Sequence, residues 1–110
     1  MIKEIFDEKT KKSITQKVLN DLPEWFGIPE STKNYIDQSS LMPFFAAYVE
    51  DEPVGFITLK ETSPETAEIY CLGVMKKYHR KHIGTELYQY FEHYAKDTSY
   101  KLLQVKTVQF

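Results

Sequence analysis

The apolar residues of this chain change their spacing once, and that change constrains the fold more than any other feature. Residues 66–75 have the apolar, alternating composition of a strand, and a basic loop follows at 76–82. From residue 83 the apolar side chains recur at helical spacing, at Ile83, Leu87, Tyr90, Phe91 and Tyr94. Apolar residues return at 100–110, which predicts a last strand. A strand, a crossover helix and a second strand form a parallel pair, so a mixed sheet is expected.

The preceding residues predict two helices and three more strands. In chain order these are a strand at 2–6, a helix carrying Ile14, Val18, Leu19 and Leu22, a helix at 30–40, and strands at 44–50 and 54–60. Asp51–Pro53 is predicted to be the tight connection of a hairpin, and 61–65 a polar loop. Gly55 is expected where another backbone approaches closely. The predicted order is β-α-α-β-β-β-α-β, an α/β (α+β) fold.

Composition narrows the classes of function. A chain of 110 residues with 42% apolar and 15% aromatic residues predicts one domain over 1–110 with a packed core. Its net charge of -2 argues against nucleic acid or an anionic membrane as partner. The single cysteine, Cys71, allows no internal disulfide. No secretory pattern or apolar span is found, so a cytoplasmic location is expected.

The loop before the long helix has the chemistry of an anion site. The first N–H groups of a helix have no partner within it, and the helix dipole adds partial positive charge there. Arg80 and Lys81 add full charge, and Gly84 allows the backbone to approach an anion closely. Local chemistry alone leaves a second interpretation open, in which the basic loop is ordinary solvated surface.

The same residues carry a family resemblance. The pattern V-x-x-x-x-(Q/R)-x-x-G-x-(G/A) at a strand–loop–helix junction is the acetyl-coenzyme A motif of the Gcn5-related N-acetyltransferases (GNAT). Val74 and Gly84 stand in register with it, whereas His79 replaces Gln or Arg and His82 replaces the first Gly. The chain resembles this family over nearly its whole length, without the family's C-terminal helix and last strands. The family's pyrophosphate contacts come largely from backbone N–H groups, so binding is expected to survive both changes. If the position of His82 requires a positive φ, a residue other than glycine adopts it at an energetic cost that opposes binding.

The resemblance implies acetyl-CoA as cosubstrate. No metal is expected, because His79 and His82 lie in a loop without Cys or acidic residues nearby. The cofactor-binding residues that it implies are Leu72, Gly73, Val74, His79, Arg80, Lys81, His82, Ile83, Gly84 and Thr85. Loop and helix residues are expected to bind the pyrophosphate, and the backbone of Leu72 and Val74 the pantetheine arm. A bulge in the strand is expected to explain Gly73; close packing is the alternative.

The resemblance also implies Glu68 as the general base, since some GNAT enzymes have a catalytic Glu there. A solvated carboxylate at the strand end is the alternative interpretation. Strand alternation without a bulge predicts Glu68, Tyr70, Leu72 and Val74 on one face, with Cys71 opposite as a buried, inert thiol. The family's general acid is commonly a Tyr on a later helix, and no Tyr of this chain matches that position.

Three functional hypotheses remain at this point. The first is an N-acetyltransferase that moves an acetyl group from acetyl-CoA to a primary amine of a small molecule or peptide. The second is a non-catalytic acyl-CoA-binding or interaction module that retains the GNAT core. An exposed sheet edge would then favour a homo-oligomer. The third is that the chain is a fragment of a longer enzyme.

Overall fold

Within the part of the chain that the structure describes, three helices and five strands form where the apolar spacing predicts them. The computed structural model describes residues 1–22, 29–98 and 102–105. The elements are β1 (Ile2–Ile5), α1 (Glu8–Asn20), α2 (Pro29–Ser39), β2 (Phe44–Val49), β3 (Glu52–Ser63), β4 (Thr66–Val74), a short 3₁₀ helix (Lys76–Tyr78), α3 (Ile83–Asp97) and β5 (Leu102–Val105). The predicted order is confirmed. The remainder of the strand predicted at 100–110 lies outside the described residues.

The strands form one sheet in the order β1-β2-β3-β4-β5. Neighbouring strands from β1 to β4 are antiparallel. Short turns join β2 to β3 and β3 to β4, whereas α1 and α2 lie between β1 and β2. β5 runs parallel to β4 and pairs with residues Thr66–Ile69 at the beginning of that strand. α3 is the crossover between the two, which confirms the predicted strand–helix–strand unit.

Side-chain alternation along the strands builds a core on each face of the sheet. On one face, Phe45, Ile57, Leu59 and Leu72 belong to the cluster that contains the buried residues of α3, namely Ile83, Leu87, Phe91 and Ala95. On the other face, Phe44, Ala46, Phe56 and Cys71 pack with Ile14, Val18, Leu19 and Leu22 of α1 and its C-terminal turn. The sheet is therefore the middle of three layers. We call these the α3 face and the α1 face.

The apolar stripe predicted for α3 is confirmed at Ile83, Leu87 and Phe91, which are buried, but the residues at its margin differ from the prediction. Tyr90 is 38% exposed, and its ring lies 5.1 Å from that of Phe45. Tyr94 is half-buried against the same ring at 4.9 Å, and Ala95, which the prediction omitted, is fully buried. A tyrosine at the margin of the stripe keeps its hydroxyl in water while its ring packs.

Two predicted turns differ from the structure. The β2–β3 turn is at Glu50 and Asp51, whose φ angles of 52° and 65° are those of a tight hairpin turn, so β3 already begins at Glu52. The loop predicted at 61–65 is shorter, because β3 continues to Ser63 and only Pro64 and Glu65 connect it to β4. The paired strands therefore extend past the part of the sheet that the helices cover, and the last residues of β3 are polar and exposed.

Gly55 lies where two backbones meet. A Cβ placed on it would be 3.0 Å from the carbonyl oxygen of Gly73 and 3.2 Å from Cγ2 of Val74. The predicted close approach is therefore confirmed. Gly73 itself lies in regular pairing with Phe56, and its added Cβ would be 3.1 Å from Val18. Close packing against α1 accounts for Gly73, and the expected bulge lies elsewhere in the strand.

Gly55→Ala is expected to lower the free energy of unfolding by about 1–3 kcal/mol. The new methyl group would lie too close to the carbonyl oxygen of Gly73, and a backbone atom cannot rotate away as a side chain can. Urea unfolding followed by circular dichroism measures this. Gly84→Ala is the matched control, since a Cβ there has its nearest neighbour, Val74 Cγ2, at 4.0 Å. Equal stabilities of Gly55→Ala and the parent chain would contradict the close approach.

No described helix has the length and apolarity that crossing a bilayer requires.

Candidate functional site

The junction of β4 and α3 turns sharply through two left-handed residues. After the 3₁₀ helix, Arg80 has φ 67°, and His82 has φ 63° and ψ 17°. His82 is the N-cap of α3 but makes no side-chain capping hydrogen bond. The first bond of the helix runs from the N–H of Glu86 to the carbonyl of His82, at 3.0 Å. The N–H groups of residues 83–85 precede that bond, so they lie at the open end of the helix.

A cleft of about 410 Å³ lies at this helix end. Its lining is Val74, Tyr78, His79, Arg80, His82, Ile83, Gly84 and Thr85. Seven of these residues are among the ten predicted to bind a cofactor. Leu72, Gly73 and Lys81 are not part of the lining. None of the described lining residues carries a carboxylate, so the positive end of the helix dipole and Arg80 set the charge of the cleft.

Tyr78 is a lining residue that the sequence analysis missed. It is half-buried against the α3-face core, and the Nζ of Lys77 lies 5.2 Å from its ring centroid. The sequence feature that could have indicated Tyr78 is an aromatic residue in an otherwise polar loop. Its ring gives the cleft an apolar wall beside the basic residues.

His79 ties the loop to the end of β4. Its Nε2 lies 2.6 Å from the carbonyl oxygen of Val74. Because a carbonyl only accepts, that nitrogen carries the hydrogen and donates it. The half-buried His79 thus fixes the loop relative to the strand from which it leaves.

Alternate residues in the second half of β4 have backbone polar groups that face away from β3. The N–H of Met75 donates to the carbonyl of Val54 at 2.8 Å, so these two residues form a hydrogen-bonded pair. Hydrogen-bonded and non-bonded pairs alternate along an antiparallel ladder. The N–H and C=O groups of Leu72 and Val74 therefore point toward the β5 side. The described part of β5 pairs only with residues 66–69 of β4.

A β-bulge at Tyr70 changes the faces predicted for β4. Thr58 pairs with Cys71 and Leu59 with Ile69, which leaves Tyr70 as the extra residue. The expectation that Glu68, Tyr70, Leu72 and Val74 share one face was wrong, because the bulge reverses the alternation. Ala67, Ile69, Leu72 and Val74 all belong to the α3-face cluster.

Glu68, between Ala67 and Ile69, consequently points to the α1 face. Tyr70 and Cys71 pack on that same face, so the expectation that Cys71 lies opposite Glu68 was also wrong. Glu68 is only 6% exposed. This burial does not fit the alternative of a solvated carboxylate.

Two tyrosines and a lysine share this face with Glu68. The rings of Tyr35 and Tyr70 lie 5.5 Å apart, and Lys60, directly opposite Glu68, places its Nζ 5.9 Å from the Tyr70 ring centroid. Burial, and after it the neighbouring Tyr35, raises the pKa of the Tyr70 phenol. Burial, and after it Cys71, raises the pKa of Tyr35. Both phenols therefore remain protonated at neutral pH.

Cys71 is fully buried, and burial raises the pKa of its thiol to about 12. The thiolate is the nucleophilic form of cysteine, so this residue is inert in the folded chain, as predicted. Within the described ranges, no group of three or more His, Cys, Asp or Glu side chains could hold a metal ion.

Comparison with known proteins assigns the family. The sequence profile of the acetyltransferase (GNAT) family matches residues 5–109. This chain belongs to the GNAT family. Its fold is that of a GNAT domain. No curated protein matched the sequence significantly.

Solved structures share the GNAT fold at low sequence identity. A ribosomal-protein-alanine N-acetyltransferase from Brucella melitensis biovar Abortus is 15% identical, with a TM-score of 0.75 over 98% of this chain and 79% of its own. An IAA acetyltransferase from Bacillus cereus is 21% identical, with a TM-score of 0.75 over 96% of this chain and 63% of its own. The PaiA N-acetyltransferase from Thermoplasma acidophilum, in complex with coenzyme A, is 18% identical, with a TM-score of 0.69 over 91% of this chain and 75% of its own. This chain therefore spans 63% to 79% of their lengths.

His82 shows why the GNAT motif has glycine at this position. Its φ of 63° lies in the left-handed region, where a Cβ costs roughly 1 kcal/mol. His82→Gly is therefore expected to raise the free energy of unfolding by about 1 kcal/mol. Denaturant unfolding measures the change.

His93→Gly is the matched control for this substitution. His93 lies in the middle of α3 on an exposed side, where glycine is a poorer helix former than histidine. The control is expected to lose about 0.5 kcal/mol. If both substitutions lowered stability equally, the left-handed conformation of His82 would not be the source of strain.

Proposed function

We propose that this GNAT chain is an N-acetyltransferase whose residues 1–110 act as one domain. In this proposal it binds acetyl-CoA at the β4–α3 junction and transfers the acetyl group to a primary amine. The observation that carries the proposal is the cleft at the open N-terminus of α3, where helix N–H groups and Arg80 converge.

The residues of the cleft fit a pyrophosphate. A helix N-terminus supplies backbone donors and partial positive charge to such an anion. Gly84 leaves space for it, since a Cβ at this position would have no neighbour nearer than 4.0 Å. Arg80 lines the cleft, and the exposed Lys81 adds charge beside it. The coenzyme A complex of the Thermoplasma acidophilum relative supports this ligand class.

The pantetheine arm is proposed to lie along β4. Leu72 and Val74 present backbone groups on the β5 side, and an extended amide-containing ligand can pair with such groups as a strand does. Gly73, packed against Val18, keeps this stretch of β4 close to α1. The carbonyl of Val74 already accepts from His79, which leaves one lone pair for a ligand donor.

Transfer requires a base, an oxyanion donor and a proton for the leaving thiolate. Acetyl-CoA supplies the activated thioester. Glu68 is proposed to accept the proton that the amine loses, and a backbone N–H of Leu72 or Val74 to stabilise the developing oxyanion. The coenzyme A thiolate is proposed to leave and to take its proton from water. Because Glu68 points to the α1 face, the acceptor amine is expected to approach from that face, beside Tyr70.

Release of coenzyme A tests this function. The purified chain is mixed with acetyl-CoA and a panel containing a polyamine, an aminoglycoside, an amino acid, a peptide N-terminus and a lysine peptide. Free thiol is then followed with a chromogenic disulfide. The buried Cys71 contributes no signal while the chain is folded. Amine-dependent release is the expected result.

If the chain bound acetyl-CoA but released no coenzyme A with any amine of the panel, the result would instead favour the non-catalytic acyl-CoA-binding module. The deep burial of Glu68 is the observation in favour of that second function. A folded chain that neither bound nor released coenzyme A would contradict both.

A further inference from the structure

Two of the three histidines of the chain line the cleft. His79 stands where the GNAT motif has Gln or Arg, and His82 stands where it has Gly. His79 donates to the Val74 carbonyl, and His82 is exposed at the N-cap of α3. The third, His93, is exposed on α3 and is not part of the cleft. The two positions at which this chain differs from the family motif thus both place a histidine side chain at the cleft.

An imidazole beside an anion favours its charged form. The hydrogen bond of His79 is compatible with an imidazolium, because Nε2 donates in both protonation states and the carbonyl stabilises a positive ring. The N-cap position of His82 places its ring at the mouth of the same cleft. Either ring in its charged form strengthens the attraction for a pyrophosphate, and in its neutral form it does not.

Other charged side chains surround the loop. From the loop and its 3₁₀ helix these are Lys76, Lys77, Arg80 and Lys81. From α1, Asp21 accepts the backbone N–H of Lys76 at 2.7 Å, and from the first turn of α3 comes Glu86. Histidine is the residue type that ordinarily changes charge near neutral pH, so His79 and His82 distinguish this cleft from one with the Gln or Arg and the Gly of the family motif.

We propose that His79 and His82 bind the pyrophosphate as imidazolium ions, so that the chain takes up protons when its cofactor binds and binds more tightly in mild acid. This inference rests on the proposed function and adds a proton linkage to it. The added affinity is expected in mild acid, and it is lost as pH rises past the range in which histidine side chains ordinarily titrate.

The test is calorimetric titration with dephospho-CoA at about pH 6 and about pH 8, on either side of the imidazole range. This ligand keeps the pyrophosphate but lacks the 3′-phosphate, whose own titration near neutral pH would oppose the effect. The parent chain is expected to bind ~10-fold more tightly at the lower pH, which is equivalent to about 1.4 kcal/mol of binding free energy. Repeating the titration in two non-phosphate buffers of different ionisation enthalpy counts the protons taken up.

Three variants assign the effect to the cleft. His79→Gln keeps a donor for the Val74 carbonyl, and His82→Gly removes the ring and relieves the left-handed strain. Each is expected to reduce the pH dependence, and the double variant to abolish it. His93→Gln is expected to behave as the parent chain.

The outcomes separate this inference from the proposed function. Binding of dephospho-CoA with equal affinity at both pH values and no proton uptake overturns the inference and leaves the cofactor site intact. The same holds for a pH dependence that survives in the double variant. A folded chain that binds neither coenzyme A nor dephospho-CoA at any pH overturns the proposed function, and the inference with it.

Discussion

Replacing Glu68 by glutamine is expected to lower kcat for acetyl transfer by about 10²–10⁴-fold, the usual contribution of a positioned general base. Glutamine has nearly the same shape but cannot accept the proton that the amine loses. Acetyl-CoA binding should be unchanged, because Glu68 points to the α1 face, away from Leu72, Val74 and the cleft. Steady-state kinetics with the most active amine, together with calorimetric titration of acetyl-CoA, measures the two effects separately.

The control for this substitution is Glu65→Gln. Glu65 is exposed in the β3–β4 turn, so its loss is expected to leave kcat within about twofold, as for most surface substitutions. Thermal unfolding of both variants shows whether the buried site tolerates the amide. A folded Glu68→Gln variant with unchanged kcat would remove Glu68 from the mechanism.

Replacing Gly84 by aspartate is expected to weaken acetyl-CoA binding by more than ~100-fold, since each charge-assisted hydrogen bond lost costs roughly 1.5–3 kcal/mol. The new carboxylate would occupy the N–H groups at the start of α3 and repel the pyrophosphate. The fold should not suffer, because an acidic residue in the first helical turn is stabilising by about 0.3–1 kcal/mol. Calorimetric titration and urea unfolding on the same preparation test both statements.

Gly84→Ala separates charge from volume at this position. The GNAT motif accepts alanine there, and a Cβ has an ordinary contact distance of 4.0 Å to Val74. Its affinity for acetyl-CoA is expected to stay within about fivefold of the parent chain, a change below ~1 kcal/mol. If Gly84→Asp bound acetyl-CoA as well as Gly84→Ala, the pyrophosphate would not lie at the start of α3.

The β4–α3 junction was predictable because its determinants are local in sequence. The change of apolar spacing at Ile83 marks the start of α3, which the structure also has at Ile83. Residues 79–85 are contiguous, so any strand–loop–helix arrangement brings them together. The residues that line the cleft follow from chain connectivity, and only Tyr78 was absent from the prediction.

The faces of β4 were not predictable, because a bulge depends on pairing with a strand that is distant in sequence. Nothing in the residues around Tyr70 marks it as the extra one, since alternation looks regular through the bulge. One added residue reverses every later side chain, and this is why Glu68 and Leu72 point to opposite faces. The face of the sheet from which the acceptor amine is proposed to approach could therefore be assigned only from the structure.

The left-handed backbone conformations of Arg80 and His82 were also difficult to predict from the sequence. Glycine is the usual signal for positive φ, and here Arg80 and His82 occupy those positions instead. The family resemblance raised this possibility for His82 only, through the glycine that it replaces. The conformation of Arg80 had no such signal.

The most direct test of the account is a calorimetric titration of the purified, folded chain with acetyl-CoA, with pantetheine as control. The account predicts micromolar binding of acetyl-CoA that is lost with pantetheine, because the pyrophosphate provides the contacts at the start of α3. Equal binding of both ligands, or of neither, would contradict the assignment of this cleft as the cofactor site.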